Sequence, residues 1–159
     1  MSIKIEIGSA ADVVSISKQI PEFEQTITLE RLQSRLDGIV GLILIAKLGK
    51  VLVGYKVGYQ LTEDIFYSWL GGVIPEHRRY GIAKLLLNYQ EEWVRDSGYK
   101  KIKVKSMNRF PYMLNLLISQ GYEIVGVEDG VCSLDRKILF VKALPNTPTD
   151  SLRNAPRGL

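Results

Sequence analysis

Arg78-Arg79-Tyr80-Gly81-Ile82-Ala83 is the stretch of this chain whose residue types and spacing ask for a ligand. Two arginines stand beside a glycine, and an amphipathic run follows at once, with Ile82, Leu85, Leu86, Tyr89 and Trp93 at helical spacing. The first four N–H groups of a helix lack internal partners and carry partial positive charge. Glycine admits unusual backbone angles or the close approach of a ligand, and alanine leaves the first turn bare. A helix end of this kind, with cationic side chains beside it, suits a diphosphate. The segment is neither a Walker A loop nor a Gly-x-Gly-x-x-Gly dinucleotide turn. Taken alone, the six residues fit an ordinary strand-to-helix turn with surface arginines equally well.

Positioning such a turn requires a strand that ends just before it. Ile65 to Ile74 reads as that strand, and Pro75 stops it because it cannot donate to a sheet ladder. Upstream, residues 3–7 alternate as a short strand, and Asp12 to Ile20 reads as a helix capped by Ser9. Thr26 or Thr28 offers a cap for a second helix through Leu36, closed by Asp37-Gly38. Val40 to Leu48 and Val51 to Leu61 read as a hairpin about Gly49-Lys50. The helix after Gly81 is expected to run to Ser97-Gly98, with Glu91 and Arg95 paired on its outer face. Lys101 to Ser106 alternates with Ile102 and Val104 inward, its lysine face being either solvated or a basic rim for an anion. Pro111 opens a fourth helix that ends at Gln120-Gly121, followed by strands over Tyr122 to Val127 and Cys132 to Val141. The order is β-α-α-β-β-β-α-β-α-β-β: an α/β (α+β) chain with a mixed, mostly antiparallel sheet of about seven strands flanked by four helices. Residues 1–144 are expected to form a single domain, and the Pro-containing tail 145–159 is expected to be mobile.

Composition narrows the classes. The 159 residues, 46% hydrophobic and 24% charged, suit a soluble globule large enough for a real core. One cysteine excludes an intrachain disulfide and points to a reducing cytoplasm, and no apolar run approaches the length that spans a membrane. A net charge of +4 suits anionic ligands, with no signature that demands nucleic acid. One histidine and one cysteine cannot make a zinc site, so no metal is expected.

Val73-x-Pro75-x-x-Arg78-x-x-Gly81-x-Ala83 at a strand end, running into an amphipathic helix, resembles motif A of the GCN5-related N-acetyltransferase (GNAT) superfamily. Asn108-Arg109-Phe110-Pro111 through Gly121-Tyr122 to Gly126 resembles the family's motif B, and the order of elements is similar to the family's throughout. The resemblance implies acetyl-CoA as acetyl donor. It assigns the diphosphate to the turn Arg78 to Lys84, through the amides of Arg79, Gly81, Ala83 and Lys84 with Ile82 between them. It assigns the pantetheine arm to Gly72, Val73 and Ile74, with Asn108 also at the cofactor, and an oxyanion-donating N–H to Val73. The implied reaction is transfer to a primary amine by direct attack in a ternary complex, on a small-molecule amine, a protein N-terminus or a lysine.

Where many members keep a glutamate base, this chain has Tyr67, with Trp69 on the same strand face. Both fit the wall of an acceptor pocket, since a tyrosine of pKa about 10 is a poor base at neutral pH. Glu22 and Glu24 lie in the inter-helix loop that borders that pocket in the family, where they could attract a cationic amine or stand solvated. Where the family often keeps a tyrosine acid, this chain has Leu117. His77 reads as solvated, and Cys132, in an apolar alternation, reads as core. The departures at 67 and 117 keep an acyl-CoA-binding regulatory or weakly active module open as the alternative. A third class, an interaction protein using its basic face and tail, would not need the Gly81 turn. A homodimer through the tail stays open as well.

Overall fold

The computed structural model describes residues 2–23, 26–130 and 132–145. Its elements are β1 (Ile3–Ile7), α1 (Ala10–Ser17), α2 (Leu29–Leu36), β2 (Gly41–Leu48), β3 (Val51–Gln60), β4 (Ile65–Val73), α3 (Ile82–Asp96), β5 (Lys101–Met107), α4 (Pro111–Ser119), β6 (Glu123–Glu128) and β7 (Lys137–Ala143). Short 3-10 turns stand at Pro75–His77 and Ser133–Asp135. The strands form one sheet in the order β1-β2-β3-β4-β5-β7-β6. Class, strand number and helix number are those expected from the sequence. No helix of the described residues is long and apolar enough to cross a membrane.

Two compact units share the chain: one takes residues up to Gln60 together with Ser68–Gln90, the other Leu61–Tyr67 together with the residues from Glu91 onward. In the first, β1, β2 and β3 form an antiparallel meander, with Ile3 opposite Leu48 and Gly41 opposite Tyr59. Val13 and Ile16 of α1 and Leu32 of α2 bury against Ile45, Tyr55 and Val57 of the strands. The helix starts have local causes. Ser9 and Asp12 form a reciprocal capping box, so α1 begins at Ala10, two residues before the expected start. Of the two threonines, Thr28 caps α2, its Oγ1 accepting from the Arg31 N–H at 3.2 Å.

In the second unit, β5 and β6 both pair antiparallel with β7. Phe66 lies fully buried beside the rings of Trp93 and Tyr99, at centroid distances of 5.6 and 5.5 Å. Ile102 and Val104 point inward, as the alternation requires.

Three expectations are corrected. Glu91 is not on an outer face. It is buried, its Oε1 accepting from Tyr122 OH at 2.9 Å and both its oxygens from Lys142 Nζ at 3.2 and 3.0 Å. The buried stripe of α3 is Ile82, Leu86, Leu87, Gln90, Glu91 and Val94, which leaves Leu85 and Tyr89 partly in solvent. Cys132 is exposed rather than core, with Sγ donating to Asp135 Oδ2 at 3.3 Å, and β7 begins five residues later. The cause is the 3-10 turn at Ser133–Asp135. It is tied down by Asn108 Nδ2 on Ser133 O at 2.8 Å and by an Arg109–Asp135 ion pair. The tail from residue 146 lies outside the described residues.

Candidate active site

The end of β4 is organised by alternation. The Ile74 N–H donates to Val53 O on β3 at 2.9 Å, and Ile74 O accepts from the His77 N–H at 2.9 Å. In an antiparallel ladder, successive residues turn their peptide groups to opposite sides. The Val73 N–H therefore points away from β3, which suits the oxyanion role that the resemblance gives it. The same alternation removes the Ile74 N–H from the groups that could pair with a pantetheine arm.

The chain then tightens. Pro75–His77 forms a 3-10 turn, Arg78 is extended, and Arg79 holds φ at +71°. Left-handed backbone is uncommon for a residue with a Cβ and stores local strain. Gly81 follows at φ +75°, and its carbonyl accepts from the Leu85 N–H at 3.0 Å, so Gly81 is the residue that caps α3. A glycine cap has no side chain to satisfy the first-turn amides. The N–H groups of Ile82, Ala83 and Lys84 thus have no acceptor within the helix. A Cβ at Gly81 would meet nothing within 4 Å, so the space above the helix start is open.

Arg78 is fastened on two sides. Its Nε donates to Val73 O at 3.1 Å, and its Nη2 stands 2.5 Å from Glu22 Oε2. The loop that carries Glu22 also packs on β4: a Cβ at Gly72 would lie 2.6 Å from Ile20 Cδ1 and 3.1 Å from Phe23 Cε2. Only glycine lets that loop approach so closely. Tyr55, on the same spot, is buried, and burial pushes its phenol well above the ordinary tyrosine value, so it stays protonated there.

Further along β4, Trp69 meets the Tyr59 ring edge-on at 5.8 Å. Arg35, from the last turn of α2, lies over Trp69 at 5.2 Å and donates from Nη1 to Tyr59 OH at 3.0 Å.

The turn residues 78–84, Gly72–Ile74, Trp69 and Glu22 all fall in the first unit. Glu22 is exposed, as a loop residue would be, and is paired with Arg78, whose charge balances its own. Asn108 belongs to the second unit, where its amide holds the Ser133 carbonyl. Tyr67 is half-buried, Leu117 is fully buried, and Glu24 lies outside the described residues. Sequence reasoning missed Arg35 and the Glu22–Arg78 pair. Both join residues far apart in the chain, and neither leaves a spacing signal.

A family model described as the acetyltransferase (GNAT) family matches residues 12–117. The chain belongs to that family. Among solved structures, the ribosomal-protein-S18-alanine N-acetyltransferase of Escherichia coli is similar at a TM-score of 0.79 and 11% identity, covering 92% of this chain and 96% of that one. NAA60 of Arabidopsis thaliana, solved with a bisubstrate analogue, is similar at a TM-score of 0.73 and 15% identity, covering 92% and 100%. A GNAT-family acetyltransferase of Elizabethkingia anophelis, solved with acetyl-CoA bound, is similar at 0.70 and 18%, covering 89% and 98%. At these identities the likeness establishes the fold. No curated protein sequence matches the chain.

Proposed function

We propose that the chain is an acetyl-CoA-dependent N-acetyltransferase acting on a primary amine through a ternary complex. The observation that carries this reading is the glycine-capped start of α3. Its amides lack internal acceptors, two arginines stand beside it, and the chain belongs to a family of acetyltransferases. In this reading the first-turn amides of α3 and the amides of Arg79 and Gly81 hold the diphosphate. The Val73 N–H, which points away from β3, stabilises the developing oxyanion, while Gly72, like Ile74, turns its peptide group toward β3 by the same alternation.

No ionisable side chain at the positions of the family's base and acid supplies proton chemistry at neutral pH: they hold Tyr67 and Leu117. The amine attacks the thioester carbonyl after losing one proton to water, the tetrahedral adduct gives up its second N–H proton to water, the C–S bond breaks, and the thiolate leaves. A thiol of pKa about 8.5 makes this feasible without a dedicated acid. Positioning then supplies most of the acceleration. Free-thiol release from acetyl-CoA across a panel of amines tests the reading. Thiol release that depends on an added amine supports it, and tight acetyl-CoA binding with no transfer to any amine overturns it. The full burial of Leu117 favours the second reading, an acyl-CoA-binding module without efficient turnover, which predicts that outcome.

A further inference from the structure

The aromatic wall of β4 carries a cation that the transfer reaction does not use. Arg35 stacks on Trp69 at 5.2 Å and lies 5.8 Å from the Tyr59 ring centroid. Its Nη1 is fixed by Tyr59 OH at 3.0 Å, while the residue as a whole is exposed. A guanidinium held by one nitrogen and by its flat face still offers N–H groups in a fixed plane, the arrangement that suits a carboxylate. Of the two acidic residues expected to border the pocket, Glu22 is paired with Arg78. Among the described residues, the charge seen beside Trp69 is the positive one of Arg35.

We infer that Arg35 selects acceptors that carry a carboxylate some distance from the reacting amine, namely peptide amino termini with an acidic side chain at the second or third residue. The inference rests on the reading of Val73 as the oxyanion donor. Trp69 stands four residues before Val73, about 13 Å along a strand at about 3.3 Å per residue. Allowing for the reach of the guanidinium, amine and carboxylate must be about 8–13 Å apart. An α-amino acid is too short, because its carboxylate is separated from the amine by a single carbon. An extended peptide covers at most about 3.6 Å per residue, so two or three residues span about 7–11 Å and the acidic side chain supplies the rest.

Arg35 is thus a specificity-determining group whose effect falls on acceptor affinity. The test uses pairs of synthetic peptides, free at the amino end and amidated at the other, that differ only in Glu against Gln at the second and third positions. With the wild-type protein and acetyl-CoA, the acidic peptide is expected to show a KM lower by about two- to fivefold, the range for a charged contact at an exposed site. Arg35→Gln should bring the ratio of the two peptides close to one. Arg35→Lys, which keeps charge but loses the planar fork, should retain part of it. Raising the salt should shrink the wild-type ratio. A wild-type protein that prefers neutral or basic peptides, or an Arg35→Gln protein that keeps the full ratio, overturns the inference. Calorimetry of peptide binding to the CoA-saturated protein reads the same preference without turnover. Tighter binding of the acidic peptide with no acetyl transfer leaves Arg35 standing and sinks the transfer reading. Turnover with equal peptide affinities does the reverse.

Discussion

Lys142→Met probes a largely buried polar cluster. Lys142 Nζ touches both Glu91 oxygens at 3.0 and 3.2 Å, donates to Gln120 O at 2.7 Å and lies 5.5 Å from the Tyr122 ring centroid. The side chains keep only 23% and 11% of their exposure, for Lys142 and Glu91 respectively. At 3.0 Å and an effective dielectric of about 20, the ionic attraction alone is about 5.5 kcal/mol. Desolvation of both groups offsets much of it, so the pair as a whole is worth far less than that figure. Removing only the cation is different, because Glu91 stays in place with Tyr122 as its sole remaining partner in the cluster. Breaking a fully buried pair costs about 3–5 kcal/mol, and the residual exposure of Lys142 lowers the expectation to about 2–3 kcal/mol. For a chain of this size that is a fall in melting temperature of about 4–12 °C. Thermal and urea unfolding measure it. The double variant Lys142→Met/Glu91→Gln should recover part of the loss, because no charge is then left behind. A loss below about 0.5 kcal/mol in the single variant, or no recovery in the double, would refute the reasoning.

Three further predictions concern the site. Gly81→Val places a branched residue at φ +75° in open space, so the fold should survive at a cost of about 1–3 kcal/mol while acetyl-CoA affinity drops at least about tenfold; unchanged calorimetric affinity in the folded variant would remove the turn from the donor site. Glu22→Gln frees Arg78 of its counter-charge and should tighten acetyl-CoA by about two- to fivefold, given the modest strength of exposed ion pairs. Acetyl-pantetheine, which has no diphosphate, should be unaffected, and equal changes for both donors would show that the effect is not electrostatic at the diphosphate. The transfer rate should rise with pH along the titration of the acceptor amine, and Tyr67→Phe should cost less than about tenfold, or about 1.4 kcal/mol; a thousandfold loss with donor binding intact would reveal side-chain proton chemistry at that position.

What the sequence disclosed and what it hid divide along a physical line. Strands with clean alternation, such as Lys101–Met107, and caps made by neighbours, such as Ser9 with Asp12, are local, and their places could be read within a residue or two. The face of α3 could not. Gln90 and Glu91 are buried polar residues, and the partners that bury Glu91 sit on Tyr122 and Lys142, far along the chain, so apolar periodicity misread the stripe. The start of β7 was misplaced for the same reason, since Asn108 and Arg109 hold the preceding turn from more than twenty positions away. In the candidate site, the glycine and arginines of the turn stood out by type and spacing. The ion pair of Glu22 with Arg78 and the stacking of Arg35 on Trp69 depend on side chains meeting across the fold.

The bare Cα of Gly72 has a consequence for redesign. Ile20, Phe23 and Tyr55 all occupy the volume that a side chain at 72 would need. The inter-helix loop is consequently not an interchangeable cassette. A loop grafted from a relative to alter acceptor choice will seat only if its residues at 20 and 23 match the bare strand beneath them. Conversely, any library that diversifies position 72 must vary 20 and 23 with it. Directed evolution of this scaffold will find its productive changes as coordinated triplets, and single-site scans will report the strand as immutable when it is only interlocked.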